Sequence, residues 1–220
     1  LHLSIRLQRQ MCIRDSGYTS DLRPVKIHPK ATDEQLATDE QVKQLREVLG
    51  ALGWLSGQSR PDLAAQCSLA QQTLPRPLVK HLKQANQALR RTKQHDGFRI
   101  RILPIPVQEV VFALNTDASL GNAAKGRTQG GHLVAAVDRR LEENRTSPWS
   151  LLSWRSGHLK RTVESTLGSE TQALLRGAKE LEWIKALWCE MKLDLNLEER
   201  AEELRKIPAV AIVDCKSAYD

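Results

Sequence analysis

The chain has 220 residues, 40% of them hydrophobic and 27% charged, which suits an ordinary globular protein of one large domain or two small ones. No apolar run approaches the roughly 18 to 20 residues of a membrane-spanning helix, so a helical membrane protein is excluded. The net charge of +7 and pI near 9.4 favour an anionic partner, nucleic acid first among them.

Residues 1–16, LHLSIRLQRQMCIRDS, carry no helical or strand period, and MCIRDS resembles the translation of a transposase mosaic-end adapter. The segment reads as a cloning or assembly scar, or else as a disordered tail, and takes no part in the fold. No apolar core of signal-peptide length follows its basic residues.

Residues 17–97 have a helical texture. Asp33 or Thr38 can cap a helix through EQVKQLREVLGALGWLSG, with Val42, Leu45, Val48, Leu49 and Leu52 at helical spacing. SRPDLAAQCSLAQQTL opens a second helix with Pro61 near its first turn. LVKHLKQANQALRRTKQ follows the break at Pro75 and Pro77 as a third, and its basic face suits either a phosphate backbone or plain solvent.

From residue 98 the pattern changes. FRIRILPIP, EVVFALNTD, GGHLVAAVD and SLLSWRS read as strands, with turn residues in GNAAKGRTQ and RRLEENRTSPW. A long helix follows from about Ser169 to Leu193, then the strand AVAIVD. The early strands can pair by hairpins, whereas the last needs a crossover, so the fold class is α/β with a mixed sheet. Of the four cysteines, Cys12, Cys67, Cys189 and Cys215, none forms a C-x-x-C pair. Reduced structural thiols in an intracellular compartment are the expectation.

Three acids occupy telling places. Asp117 ends VVFALNTD, Asp214 ends AVAIVD, and Glu170 stands in the first turn of the long helix. Glu170, Leu174, Ala178, Leu181, Ile184, Trp188 and Met191 follow one stripe at spacings of three and four, so Glu170 should point toward the sheet. Trp183 and Trp188 fall on or near that buried face, and Trp154 ends a strand. Clustered carboxylates repel and resist burial without a cation, so their convergence implies a metal site. All-oxygen ligands suit Mg²⁺ or Mn²⁺, and no His/Cys set at zinc spacing competes.

LNTDASLGN, GRTQGGHLVAAVD, LLSWRSGHLKRTVESTLGSETQALLRGAKELEWIKAL and IVDCKSAYD, over most of 110–220, resemble the ribonuclease H domain of copia-type retrotransposon polyproteins. LGALGWLSGQSRPDLAAQCSLAQQTL, with Gly50, Leu52, Trp54, Leu55 and Arg60-Pro61-Asp62, resembles the segment that closes the reverse transcriptase just upstream. The resemblance implies a ribonuclease H-like domain over 98–220, preceded by the helical end of a reverse transcriptase over 17–97. The polymerase palm with its paired aspartates is absent, so no DNA synthesis is expected from the chain alone. The palm and the rest of a polyprotein are the implied protein partners.

By the same resemblance, Asp117, Glu170 and Asp214 match the family's first three metal-binding carboxylates. Two Mg²⁺ or Mn²⁺ ions would serve hydrolysis of the RNA strand of an RNA–DNA hybrid, RNA being told from DNA through its 2′-hydroxyls. The family's fourth acid lies further downstream, which makes the chain a truncated piece whose cleavage is expected to be weak or nil. Arg155, Lys160 and Arg161 in WRSGHLKRT are candidate phosphate contacts or a solvated loop. Asn115 and Ser119 flank Asp117 as ligand-orienting or turn residues, and His158 is a proton shuttle or incidental. A non-catalytic nucleic-acid-binding connection module, with a decayed ribonuclease H fold, is the alternative. An integrase is disfavoured because its glutamate comes late, after the second aspartate.

Overall fold

The computed structural model describes residues 19–143, 145–192 and 197–216. The tail 1–16 and Leu193 therefore lie outside the described residues. The chain divides into two compact units, Leu1–Ile100 and Arg101–Asp220. Among the described residues no helix is long and apolar enough to cross a membrane.

In the first unit, α1 spans Asp39–Gln58, and Thr38 rather than Asp33 caps it. The Thr38 hydroxyl accepts the Gln41 N–H at 3.3 Å while the Gln41 amide oxygen accepts the Thr38 N–H at 3.0 Å, a reciprocal capping box. Leu45, Val48, Leu49 and Leu52 are buried as their spacing requires, and Val42 is half-buried. Pro61 lies in a single 3₁₀ turn, Pro61–Leu63, ahead of α2, Ala64–Gln71. Next comes α3, Val79–Gln94, which turns Val79, Leu82, Ala85, Ala88 and Leu89 inward. Val25, Leu63 and Cys67 complete the core between the helices.

Arg60 is buried and explains the Arg-Pro-Asp spacing. Its guanidinium holds Asp62 at 2.8 Å and donates to the carbonyls of Thr92 and His95 at the end of α3. That satisfies helix-end carbonyls that nothing else in the helix can reach. The basic face of α3 is partly neutralised, because Lys80 pairs with Glu34 and Lys83 with Asp33.

In the second unit the sheet order is β3-β2-β1-β4. These strands are β1 Val110–Ala123, β2 Arg127–Asp138, β3 Trp149–His158 and β4 Ala209–Ile212. The first three run antiparallel and β4 lies parallel to β1. FRIRILPIP is not a strand. Pro104 and Pro106 bring no N–H to a ladder, Ile102 stays exposed, and the segment is tied to the sheet at Leu103, whose N–H donates to the Ser150 hydroxyl at 2.8 Å. Past Asp117, β1 continues to Ala123 and folds back through a tight turn in which Lys125 and Gly126 take φ values of 62° and 68°.

Helix α4, Thr166–Lys192, covers one face of the sheet. Leu174, Ala178, Leu181, Ile184 and Trp188 pack there with Phe112, Leu114 and Val134, and Trp188 meets Phe112 edge-on at 5.7 Å. The other face gathers Val111, Ala113, Ala135 and Val137 under Leu141 and Val210. Burial on both faces is why β1 opens as an unbroken apolar run. The expected stripe overreaches in two places. Met191 is 74% exposed and Trp183 58% exposed, the first beyond the end of the sheet contact and the second turned off the packed face. A further charged helix, α5, Leu197–Lys206, precedes β4 and was not anticipated.

Candidate metal centre

The three acids come from three separate elements of the second unit. Asp117 lies within β1, directly opposite Gly131 of β2, so no neighbouring side chain crowds it from that strand. The parallel ladder pairs Phe112 with Ala209 and Asn115 with Ile212. Continued by two residues, this register sets Asp214 level with Asp117 just past the end of β4. Parallel pairing delivers both side chains at one level of the sheet edge.

Glu170 arrives from α4. The helix begins three residues earlier than its apolar stripe suggests, because the Ser165 hydroxyl accepts the Gly168 N–H at 3.0 Å in the manner of an N-cap. Glu170 therefore sits at the start of the second turn, not in the first. Its direction follows the stripe, and it points at the sheet.

One ligand atom from each of Asp117, Glu170 and Asp214 lies within 4.8 Å of the others. Asp117 and Asp214 are exposed, whereas Glu170 is only 7% exposed. The Ala118 N–H donates to Glu170 Oε1 at 3.2 Å and fixes the carboxylate; Oε2 is buried with no hydrogen-bond partner among the described residues. Burial, then the charges of Asp117 and Asp214, push the Glu170 carboxyl above its ordinary range, against the opposing pull of the Ala118 hydrogen bond. A buried carboxylate oxygen without a partner, facing two further carboxylates, is a costly arrangement that a divalent cation would relieve. The donor set is all oxygen and fits Mg²⁺, Mn²⁺ or Ca²⁺ coordination chemistry.

The basic candidates lie elsewhere in the same unit. Arg155, Lys160 and Arg161 line a groove of about 570 Å³, with His158 on the same wall. Arg176 and Lys179 of α4 line it too, and nothing in the local sequence marked them. Asn115 and Ser119 are exposed on β1 on either side of Asp117.

His132 was also missed. It faces α4 from β2, with its Nε2 buried and unpartnered among the described residues. Burial lowers its pKa, aided by the Arg176 and Arg155 charges and opposed by Glu180. Its alternation with Val134 and Ala136 is the signal that would have placed it inward.

Comparison of the chain with family models, with curated proteins and with solved structures returns no match. The acidic centre and the groove therefore stand on their own geometry.

Proposed function

We propose that the second unit is a ribonuclease H-type endoribonuclease domain of a retrotransposon reverse transcriptase, hydrolysing the RNA strand of RNA–DNA hybrids. The observation that carries this reading is Glu170, buried with an unsatisfied oxygen and held within 4.8 Å of two aspartates. The sequence resemblance supplies the reaction class. In this reading the first unit is the helical close of the reverse transcriptase, with Arg60 tying its helices together.

Asp117, Glu170 and Asp214 would hold two Mg²⁺ or Mn²⁺ ions. Held there, such ions would supply Lewis-acid chemistry, polarising the phosphodiester and easing the loss of a proton from the attacking water. The chain's own groups prepare the site. The Ala118 N–H orients Glu170, β1 and β4 set the two aspartates level, and their exposure leaves the centre open to a polymer that could not enter a closed pocket.

The test is single-turnover cleavage of an end-labelled RNA–DNA hybrid with the protein in excess. Slow cutting of the RNA strand in Mn²⁺ is expected, stopped by chelator and reduced to background in Asp117→Asn while hybrid binding persists. Cleavage indifferent to chelator or to Asp117→Asn would overturn the reading. Hybrid binding with no cleavage in either metal would leave a module that only grips nucleic acid.

A further inference from the structure

The groove beside α4 is built by two elements far apart in sequence. In the β2–β3 register Arg155 stands opposite His132, so both project toward α4. Gly157, two residues on, shares that face and has no side chain. The Arg176 guanidinium fills the space, with both terminal nitrogens 3.5 Å from where a Gly157 Cβ would lie. Gln172, Leu175, Arg176 and Lys179 recur at helical spacing and form the opposite wall. Lys160 and Arg161 line it from the loop that follows β3.

The charge in this groove is unbalanced. No acidic residue among those described lines it, and none of its five Lys and Arg side chains makes an ion pair with a described residue. Glu180, the next acid along α4, accepts the Ser153 hydroxyl at 2.6 Å. Arg176 is half-buried, and burial and the nearby Arg155 charge together lower its pKa. Two guanidinium groups held together with no carboxylate between them are destabilised until an anion joins them. Arg also presents a planar fork that matches phosphate oxygens.

The location relates the groove to the acidic centre. Asp117, Gly131 and Ser156 form one row across β1, β2 and β3. Ser156 lines the groove, so its floor begins two strands, about 10 Å, from Asp117. A duplex advances about 3.4 Å per base pair, so a hybrid cut at the centre has backbone within reach of the groove about three steps away.

We propose that this groove is a second nucleic-acid contact, in which Arg176 and Lys179 of α4, with Arg155, grip the sugar–phosphate backbone of a hybrid engaged at the acidic centre. The assignment of the ligand as a hybrid rests on the ribonuclease H reading; the anion site itself rests on the groove. The contact is to phosphate and carries no sequence preference.

The test is fluorescence anisotropy of a labelled RNA–DNA hybrid against the full chain over a range of salt concentrations in EDTA, alongside the Mg²⁺-induced rise in melting temperature. Each phosphate-contacting cation contributes about 0.9 to the slope of log affinity on log salt. Arg176→Gln with Lys179→Gln should therefore flatten the slope by about 1.8, so that a fourfold rise in salt costs the wild type roughly tenfold more affinity than the variant. Lys179→Gln alone, at an exposed position, should flatten it by about 0.9 and carries the test if the double variant folds poorly. The Mg²⁺-induced stabilisation should be unchanged in all of them. An unchanged slope in Lys179→Gln overturns the groove proposal and leaves the cleavage reading to its own assay. Loss of binding to anionic phospholipid vesicles with the hybrid slope intact would assign the groove to a lipid surface and likewise overturn it.

Discussion

Replacing Asp117 with Asn should make the metal-free protein more stable and the metal-loaded protein less so. The Asp117 carboxylate accepts no hydrogen bond from a described residue, so Asn removes its charge and little else. At 4.8 Å, a pair of like charges repels by about 0.9 kcal/mol in water and about 3.5 kcal/mol at the effective dielectric of a protein surface. Asp117 and Asp214 are exposed, so the lower limit governs, and relief of two pairs is worth about 1–2 kcal/mol. In a unit of this size each kcal/mol shifts the melting temperature by about 3–6 °C. In EDTA the variant should melt higher by several degrees. In Mg²⁺ at tenfold its dissociation constant the wild type gains about 1.4 kcal/mol, which a variant lacking one ligand does not. The two melting curves should therefore converge or cross on adding metal, as read by scanning calorimetry. A variant that is less stable in EDTA, or that keeps the full Mg²⁺ shift, would refute the reasoning, because the three carboxylates would then not be sharing a site.

Two pH profiles follow from the shifted groups. The Glu170 carboxyl is raised above its ordinary 4.5, so the native state keeps a proton that the unfolded chain has lost; in EDTA the stability of the wild type relative to Glu170→Gln should fall as pH rises from 4.5 and level off above the native value. His132 is shifted the opposite way, below 6.5, chiefly by burial, so its neutral form is favoured in the fold; stability relative to His132→Gln should be fully present above 6.5 and decline as pH falls below it. Urea denaturation across pH reads both, and a profile of reversed slope refutes the burial assigned to that group.

The parts of the fold that were legible are those decided locally. The Thr38 cap and the stripe of α1 need only neighbours three and four residues away, and the apolar opening of β1 declares a strand buried on both faces. The direction of Glu170, though not its turn, was legible because it shares the spacing of Leu174 and Ala178. The parts that were not legible depend on distant partners. FRIRILPIP alternates like a strand, but a strand also needs a ladder, and its prolines deny it one. Trp183 follows the composition of a core helix and not its geometry, since the sheet meets only one side of α4. Nothing in the sequence around Arg176 and Lys179 sets them apart; the groove they line is made only by β3 running alongside. The level placement of Asp117 and Asp214 depends on the β1–β4 register, which nothing in either segment specifies alone.

Packing and site geometry are joined through α4, and Gly177 tests the joint. A Cβ added at Gly177 would lie 2.7 Å from Leu114 Cδ1, 2.8 Å from Thr116 Cγ2 and 3.2 Å from His132 Cβ. Leu114 and Thr116 are buried in the central strand, and the β-branched Thr116 has little rotamer freedom with which to yield. Ala gains about 1 kcal/mol of helix propensity over Gly, but overpacking of this kind costs about 1–3 kcal/mol, so the balance should be a net loss of up to about 2 kcal/mol. The strain is relieved if α4 lifts from the sheet. Glu170 is seven residues earlier on the same helix, about 10.5 Å along its axis, and lifting would draw it away from the Ala118 N–H and the two aspartates. Gly177→Ala should therefore lower the EDTA melting temperature and the Mg²⁺-induced shift together, whereas Asp117→Asn raises the first and abolishes the second. Calorimetry in both conditions separates the two patterns. A Gly177→Ala protein with lowered stability but an intact Mg²⁺ shift would show that the sheet, and not the seating of α4, holds Glu170 in place.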